Sequence, residues 1–126
     1  MINTVAAVFG VIYLLTGLLG FIIMPHGGLL MGIFAVNMFH HVFHIVLGSL
    51  GPLSAWRNKG RLYCQVSGGL LMLLGVLGVI APGLMMNLLA IPPADLLTDN
   101  LLHLVSGFAL VYFGFLLRSS NQKVAQ

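Results

Sequence analysis

"VAAVFGVIYLLTGLLGFIIM", Val5 to Met24, contains no charged side chain and no proline. As a helix rising about 1.5 Å per residue, such a stretch is about 30 Å long, the thickness of a bilayer's hydrocarbon core. The rest of the chain has the same character. Of its 126 residues, 60% are hydrophobic and only 6% are charged, where a soluble domain carries about 25% charged residues. A chain this short cannot hide so much apolar surface in a water-soluble core. Lipid is therefore the solvent for most of it.

Three further apolar runs extend this reading. One runs from Asn37 to Ala55, a second from Val66 to Ala81 with a start as early as Tyr63, and a third from Asn100 to Leu117. Backbone groups in hydrocarbon must be satisfied within their own segment, so each run is expected to be a helix. Period-two alternation is absent, which argues against a membrane barrel. The expected fold is an all-α membrane protein with four transmembrane helices. It forms one integral domain over residues 1–126, built from a helical hairpin at 5–56 and a second at 63–118. The head "MINT" has no Lys or Arg, and "FIIMPHGG" offers no small-residue cleavage site. The first run therefore reads as a retained helix rather than a secretory signal.

Charge sets the expected orientation. Arg57, Lys59 and Arg61 lie between the second and third runs, and Arg118 and Lys123 follow the fourth. With four spans, all five basic residues fall on one side, which the positive-inside rule makes cytoplasmic, with both termini there. Asp95 and Asp99 fall on the other side, before the fourth run. Trp56 and Tyr63 flank the basic loop as interfacial aromatics do. Five basic residues at a membrane face do not make a nucleic-acid site. Cys64, the single cysteine, excludes an intramolecular disulfide or a cysteine metal cluster. It reads as an inert interfacial thiol.

An internal repeat runs through the chain. Gly10, Gly17 and Gly20 recur with identical spacing as Gly68, Gly75 and Gly78, an offset of 58. "HIVLG", His44 to Gly48, recurs as "HLVSG", His103 to Gly107, an offset of 59. Pro25 and Pro82 follow the two odd helices. The pattern predicts a duplicated two-helix unit whose copies share one orientation about an axis along the membrane normal. Small residues let membrane helices approach closely, so the first and third helices are expected to meet along their glycine faces. Gly48 and Gly107 join this set of packing glycines. "PHGGLLMGIFAVN" and "PGLMMNLLAIPPAD" are apolar but too short to span, and read as interfacial or re-entrant pieces on the outer face. Pro92 and Pro93 end the second piece. Asp95, Thr98 or Asp99 would then cap the fourth helix.

"VNMFHHVFHIVLGSLGPLSA", the basic segment and Tyr63 after it, and "DNLLHLVSGFALVYFG" together resemble domain-of-unknown-function family 4383. The resemblance covers most of the chain from the second helix on. It implies a small bacterial four-helix membrane protein with no settled biochemical activity, so no catalytic residues carry over.

Histidines are the chemistry of this chain. "NMFHHVFH", residues 37 to 44, holds three of them inside an apolar helix. His40 and His44 share a helical face, and His41 points about 100° away from His40. His103 lies at about the depth of His44, on the repeat-related helix. Polar residues in a membrane normally face the bundle interior and mark functional sites. Three readings compete. Neutral imidazoles can hydrogen-bond across the bundle, with Asn37, Asn100 or backbone carbonyls as partners. His44 and His103 can be axial ligands of a haem, or one of them the ligand of a chlorophyll-type pigment, although His26 is the only cation on that side for haem propionates. A small metal ion can be held by His40, His44 and His103.

No Ser/His/Asp set, phosphate-cradling loop or pair of intramembrane carboxylates is present, and the helix interiors are too bland for a transporter. The expected role is non-enzymatic: an accessory or packing subunit of a larger assembly in a bacterial membrane. The alternative is a haem-, chlorophyll- or metal-binding membrane protein.

Overall fold

The computed structural model describes residues 1–30, 34–89 and 96–117. The structure is mostly helical. In chain order it comprises α1 (Ile2–Ile23), β1 (Gly28–Leu30), β2 (Phe34–Val36), α2 (Met38–Trp56), α3 (Gly60–Ile80), α4 (Pro82–Leu89) and α5 (Leu96–Leu116). Three helices, Ile2–Ile23, Gly60–Ile80 and Leu97–Leu116, are long and apolar enough to cross a membrane. Their outward side chains suit lipid, with Val66, Val105, Phe108 and Phe115 all exposed.

α1 packs along α2, and α3 along α5. The contact is close because glycine backbones meet. A Cβ on Gly10 would stand 2.6 Å from Pro52 Cδ and 2.7 Å from the Gly48 carbonyl oxygen. Pro52 has no N–H for that carbonyl, which lies instead against α1. The second pair has the same contact, since a Cβ on Gly68 would stand 2.9 Å from the Gly107 carbonyl oxygen. Gly17 faces His41 and Ile45, while Gly75 faces Asn100 and Leu104. The glycine faces of α1 and α3 are thus covered by α2 and α5, not by each other as the sequence reading expected. Each glycine row is taken by the helix at the far end of its own apolar connection, and that uses up the close approach.

The core between the pairs comprises Ala6, Tyr13, Leu47, Tyr63, Cys64, Leu71 and Leu110. Two sequence expectations change here. Tyr63 is buried at 5% exposure, and only Trp56 lies at the surface as an interfacial aromatic would. Cys64 is fully buried rather than interfacial, close to where a Cβ on Gly114 would lie.

Polar ends carry α1 and α3 past their apolar runs. The Asn3 side chain donates to Asn58 Oδ1 at 2.9 Å and accepts from the Gly60 backbone N–H at 3.1 Å. This joins the start of α1 to the α2–α3 turn, so α3 begins six residues before Val66. Asn58 closes that turn with φ +56°, a left-handed conformation that asparagine tolerates. Arg61 donates to the carbonyl oxygens of Gly114, at 2.9 Å, and Leu117, satisfying acceptors left open at the end of α5. Hydrogen bonds from a charged donor contribute about 1.5–3 kcal/mol when buried, and this one is half-buried. Arg61→Ala should therefore lower unfolding stability in detergent by about 1 kcal/mol after solvent screening. Arg61→Lys should recover only part of it, because the compact ammonium lacks the planar guanidinium fork that spans the two carbonyls. Thermal unfolding of both variants checks this.

The opposite end departs from the all-α expectation. The first apolar connection contains a two-stranded antiparallel hairpin, with Leu29 opposite Ala35. Gly27, at φ +90°, turns the chain into it, and a side chain there would meet the Val36 carbonyl. The second connection forms α4, with Pro82 as its first residue, a position that needs no N–H. Thr98 and Asp99 lie inside α5 rather than capping it, because Leu96 and Leu97 already belong to the helix. Asp95, Pro92, Pro93, Arg118 and Lys123, to which the sequence reading gave capping, stopping or charge roles, lie outside the described residues.

Candidate functional site

The histidines sit in the half of the bundle away from Arg57–Arg61. Asn37 starts α2 by accepting the His40 backbone N–H at 2.9 Å, an N-cap that fixes where the first turn begins. His40 and His44 then stand one turn apart on the face turned toward α5. His103, in α5, meets them. His44 and His103 rings are 6.2 Å apart between centroids, His40 and His103 5.8 Å, and His40 and His44 4.4 Å. One nitrogen from each ring can be chosen so that all three lie within 4.8 Å of one another.

The trio is nearly closed to solvent, with His40, His44 and His103 exposed by 9%, 4% and 6%. His40 Nε2 and His44 Nε2 are 3.2 Å apart, so one donates and the other accepts. His103 Nε2 is buried with no hydrogen-bond partner among the described residues. Leaving such a group unmatched costs about 1–3 kcal/mol, and a fixed imidazole nitrogen in this state is a vacant lone pair or N–H aimed at its neighbours. Tyr13 packs its ring on His44 at 5.3 Å.

His41 is not part of this group. It turns toward α1, where its ring covers Gly20 and its Nε2 lies 3.1 Å from the Met24 carbonyl oxygen. Asn100 does the same in the other pair, with its side chain seated over Gly78. Of the residues singled out in the sequence, the structure thus brings together His40, His44 and His103. It sets Gly10, Gly17 and Gly20 of α1 against α2, and Gly68, Gly75 and Gly78 of α3 against α5. Gly48 and Gly107 are their counterparts: Cβ atoms there would meet the backbones of Leu14 and Met72. His26 lies apart from the trio, in the turn before β1.

A cavity of about 420 Å³ between α1 and α5 reaches the cluster, lined by Ile12, Tyr13, His40, His44, Asp99 and Leu102, among others. Asp99 and Tyr13 are site residues that sequence reasoning did not place here. Asp99 had a signal: it precedes His103 by four residues, as His40 precedes His44, and its offset from His40 is 59. Tyr13 had none, because one hydroxyl in an apolar helix has no pattern.

A family profile described as "Domain of unknown function (DUF4383)" matches residues 3–116. The chain belongs to this family. No match was found among curated proteins or among solved structures. Membership in DUF4383 assigns no chemistry, so the function has to be argued from the site itself.

Proposed function

We propose that this DUF4383 protein is a four-span membrane protein that binds a metal ion through His40, His44 and His103. The observation that carries the reading is the three imidazoles with ligand atoms inside 4.8 Å, buried and drawn from two helices. Imidazole is a ready ligand for zinc, copper and related ions, and bundle cores build such sites from facing helices. His103 Nε2, buried with no hydrogen-bond partner among the described residues, supports it. A macrocycle between His44 and His103 is disfavoured, because the His40 ring stands against both where its plane would run. The accessory-subunit reading has the family's lack of assigned chemistry behind it, whereas the cluster is a positive observation. Equilibrium dialysis of the purified protein against Zn²⁺ and Co²⁺ tests the proposal. We expect one tightly held ion per chain, and no uptake of either ion would refute it.

α2 is read as the fourth span. Its 19 residues reach about 28 Å at the helical rise, and its glycines hold it along α1. Two copies of one hairpin account for the matched contacts: Gly10–Gly48 with Gly68–Gly107, Gly17–Ile45 with Gly75–Leu104, and Gly20–His41 with Gly78–Asn100. Each pair follows the offsets of 58 and 59. With Arg57, Lys59 and Arg61 on the cytoplasmic side of a bacterial membrane, both termini lie inside. Reporter fusions after Gly27 and after Gln126 should report opposite sides, and matching signals would overturn this topology.

A further inference from the structure

We infer that the cavity between α1 and α5 is a groove for one apolar chain drawn from the bilayer, held at an uncharged oxygen by the Tyr13 hydroxyl. This site is independent of any ion at the histidines. Phe9, Ile12, Thr16, Leu19 and Ile23 line the cavity at intervals of three and four, which is one face of α1. From Phe9 to Ile23 that face runs about 21 Å at the helical rise. A volume of about 420 Å³ over such a length makes a slot rather than a round pocket, the shape of one extended chain. The volume lies within the roughly 300–1,000 Å³ of small-molecule sites. Ile12, Leu19, Ile23 and Leu102 on its walls are 39% to 61% exposed, so the slot opens sideways into lipid.

Most polar side chains of the lining are already engaged. Thr16 donates to the Ile12 carbonyl at 2.8 Å, and Ser106 to the Leu102 carbonyl at 2.6 Å. His40 and His44 share one hydrogen bond, and Asp99 is engaged as well. The Tyr13 hydroxyl is left over. The side chain is 4% exposed, and its oxygen has no hydrogen-bond partner among the described residues. Ser106 approaches it from α5 without closing a bond. A phenol hydrogen needs an acceptor, and a ligand oxygen in the slot supplies one. Tyr13 stands near the middle of α1, which places that oxygen near the bilayer's midplane, where charged groups are costly. An ammonium has no lone pair to offer. Among the described residues, no Lys or Arg lines the slot to hold an anion. The ligand's oxygen is therefore a neutral hydroxyl or ketone-type carbonyl, with its chain lying along Thr16, Leu19 and Ile23.

The test uses the whole chain in phosphatidylcholine vesicles with EDTA, and a tetradecanol probe carrying a diazirine in its chain. Photolabelling should saturate, fall on the α1 and α5 residues that line the slot, and be displaced by unlabelled tetradecanol. Tetradecyl sulfate and tetradecyltrimethylammonium should displace it at least roughly tenfold less well. Tyr13→Phe keeps the ring and should weaken tetradecanol binding roughly 2–10-fold, the worth of one neutral hydrogen bond. Thr16→Phe fills the slot and should abolish labelling. Leu15→Phe, outside the slot at a side chain 52% exposed, should not. Labelling spread evenly over lipid-facing residues, not displaced by tetradecanol, or unchanged in Thr16→Phe overturns the groove. Equal displacement by the charged chains, or an unchanged affinity in Tyr13→Phe, overturns the neutral-oxygen site at Tyr13. Displacement is read on wild-type protein, so the outcome does not hang on the folding of a variant. EDTA keeps the histidines free of metal, so failure here leaves the metal reading standing.

Discussion

His103→Ala should abolish tight Zn²⁺ and Co²⁺ binding, and His44→Ala should do the same, while His41→Ala should leave uptake intact. The difference comes from the direction each ring faces. His44 and His103 oppose each other at 6.2 Å with His40 beside them. His41 is turned onto Gly20 and engaged with the Met24 carbonyl. Removing a direct ligand leaves too few donors for a tetrahedral ion, so the loss should exceed the roughly 10–100-fold expected for outer-shell changes. His41→Ala should instead cost stability, because it empties the space above Gly20 and removes one of the two hydrogen bonds to the Met24 carbonyl, leaving the Gly27 N–H as donor. Dialysis with metal analysis, alongside thermal unfolding, separates the two effects. Equal metal uptake by wild type and His103→Ala would rule out the trio as the binding site.

Gly48→Ala should produce the largest stability loss of any single methyl added to this protein. The new Cβ would collide with the backbone of Leu14, an obstacle that cannot rotate away. Overpacking usually costs about 1–3 kcal/mol, and a backbone–backbone clash belongs at or beyond the upper end. Gly107→Ala should behave alike, since its Cβ would lie 2.8 Å from Met72 N. Gly69→Ala is the internal control. Nothing lies within 4 Å of a Cβ there, so its stability should hold within about 0.5 kcal/mol, the usual range for surface changes. Unfolding in detergent measures all three. If Gly48→Ala and Gly107→Ala matched Gly69→Ala, the helix pairs would not be as close as described.

Much of the wrong reading came from one assumption, that polar or aromatic residues at a run's edge lie at the interface. Tyr63 and Cys64 follow three basic residues, yet both are buried because α3 already starts at Gly60 and its first turns pack inward. Asp99 read as a helix cap because acids favour helix starts. It lies within the first turn of α5 and turns toward the cavity instead. The strands at Gly28–Leu30 and Phe34–Val36 were illegible in an apolar segment, where short runs do not distinguish helix from strand.

The sequence by itself determined the solvent and the spacing along each helix. Hydrocarbon admits few structures, so length and apolarity are enough to mark helices that cross it. The i, i+4 interval puts His40 and His44 on one face whatever surrounds them. The tertiary structure alone decided what each face meets. Glycine spacing says that a helix can be approached closely but not by which neighbour, and both glycine rows were taken by their own hairpin partners. That choice brought α5 across from the His40/His44 face and set His103 and Asp99 beside it. Contacts between helices depend on rotation and crossing of whole elements, and no local interval in the chain encodes those.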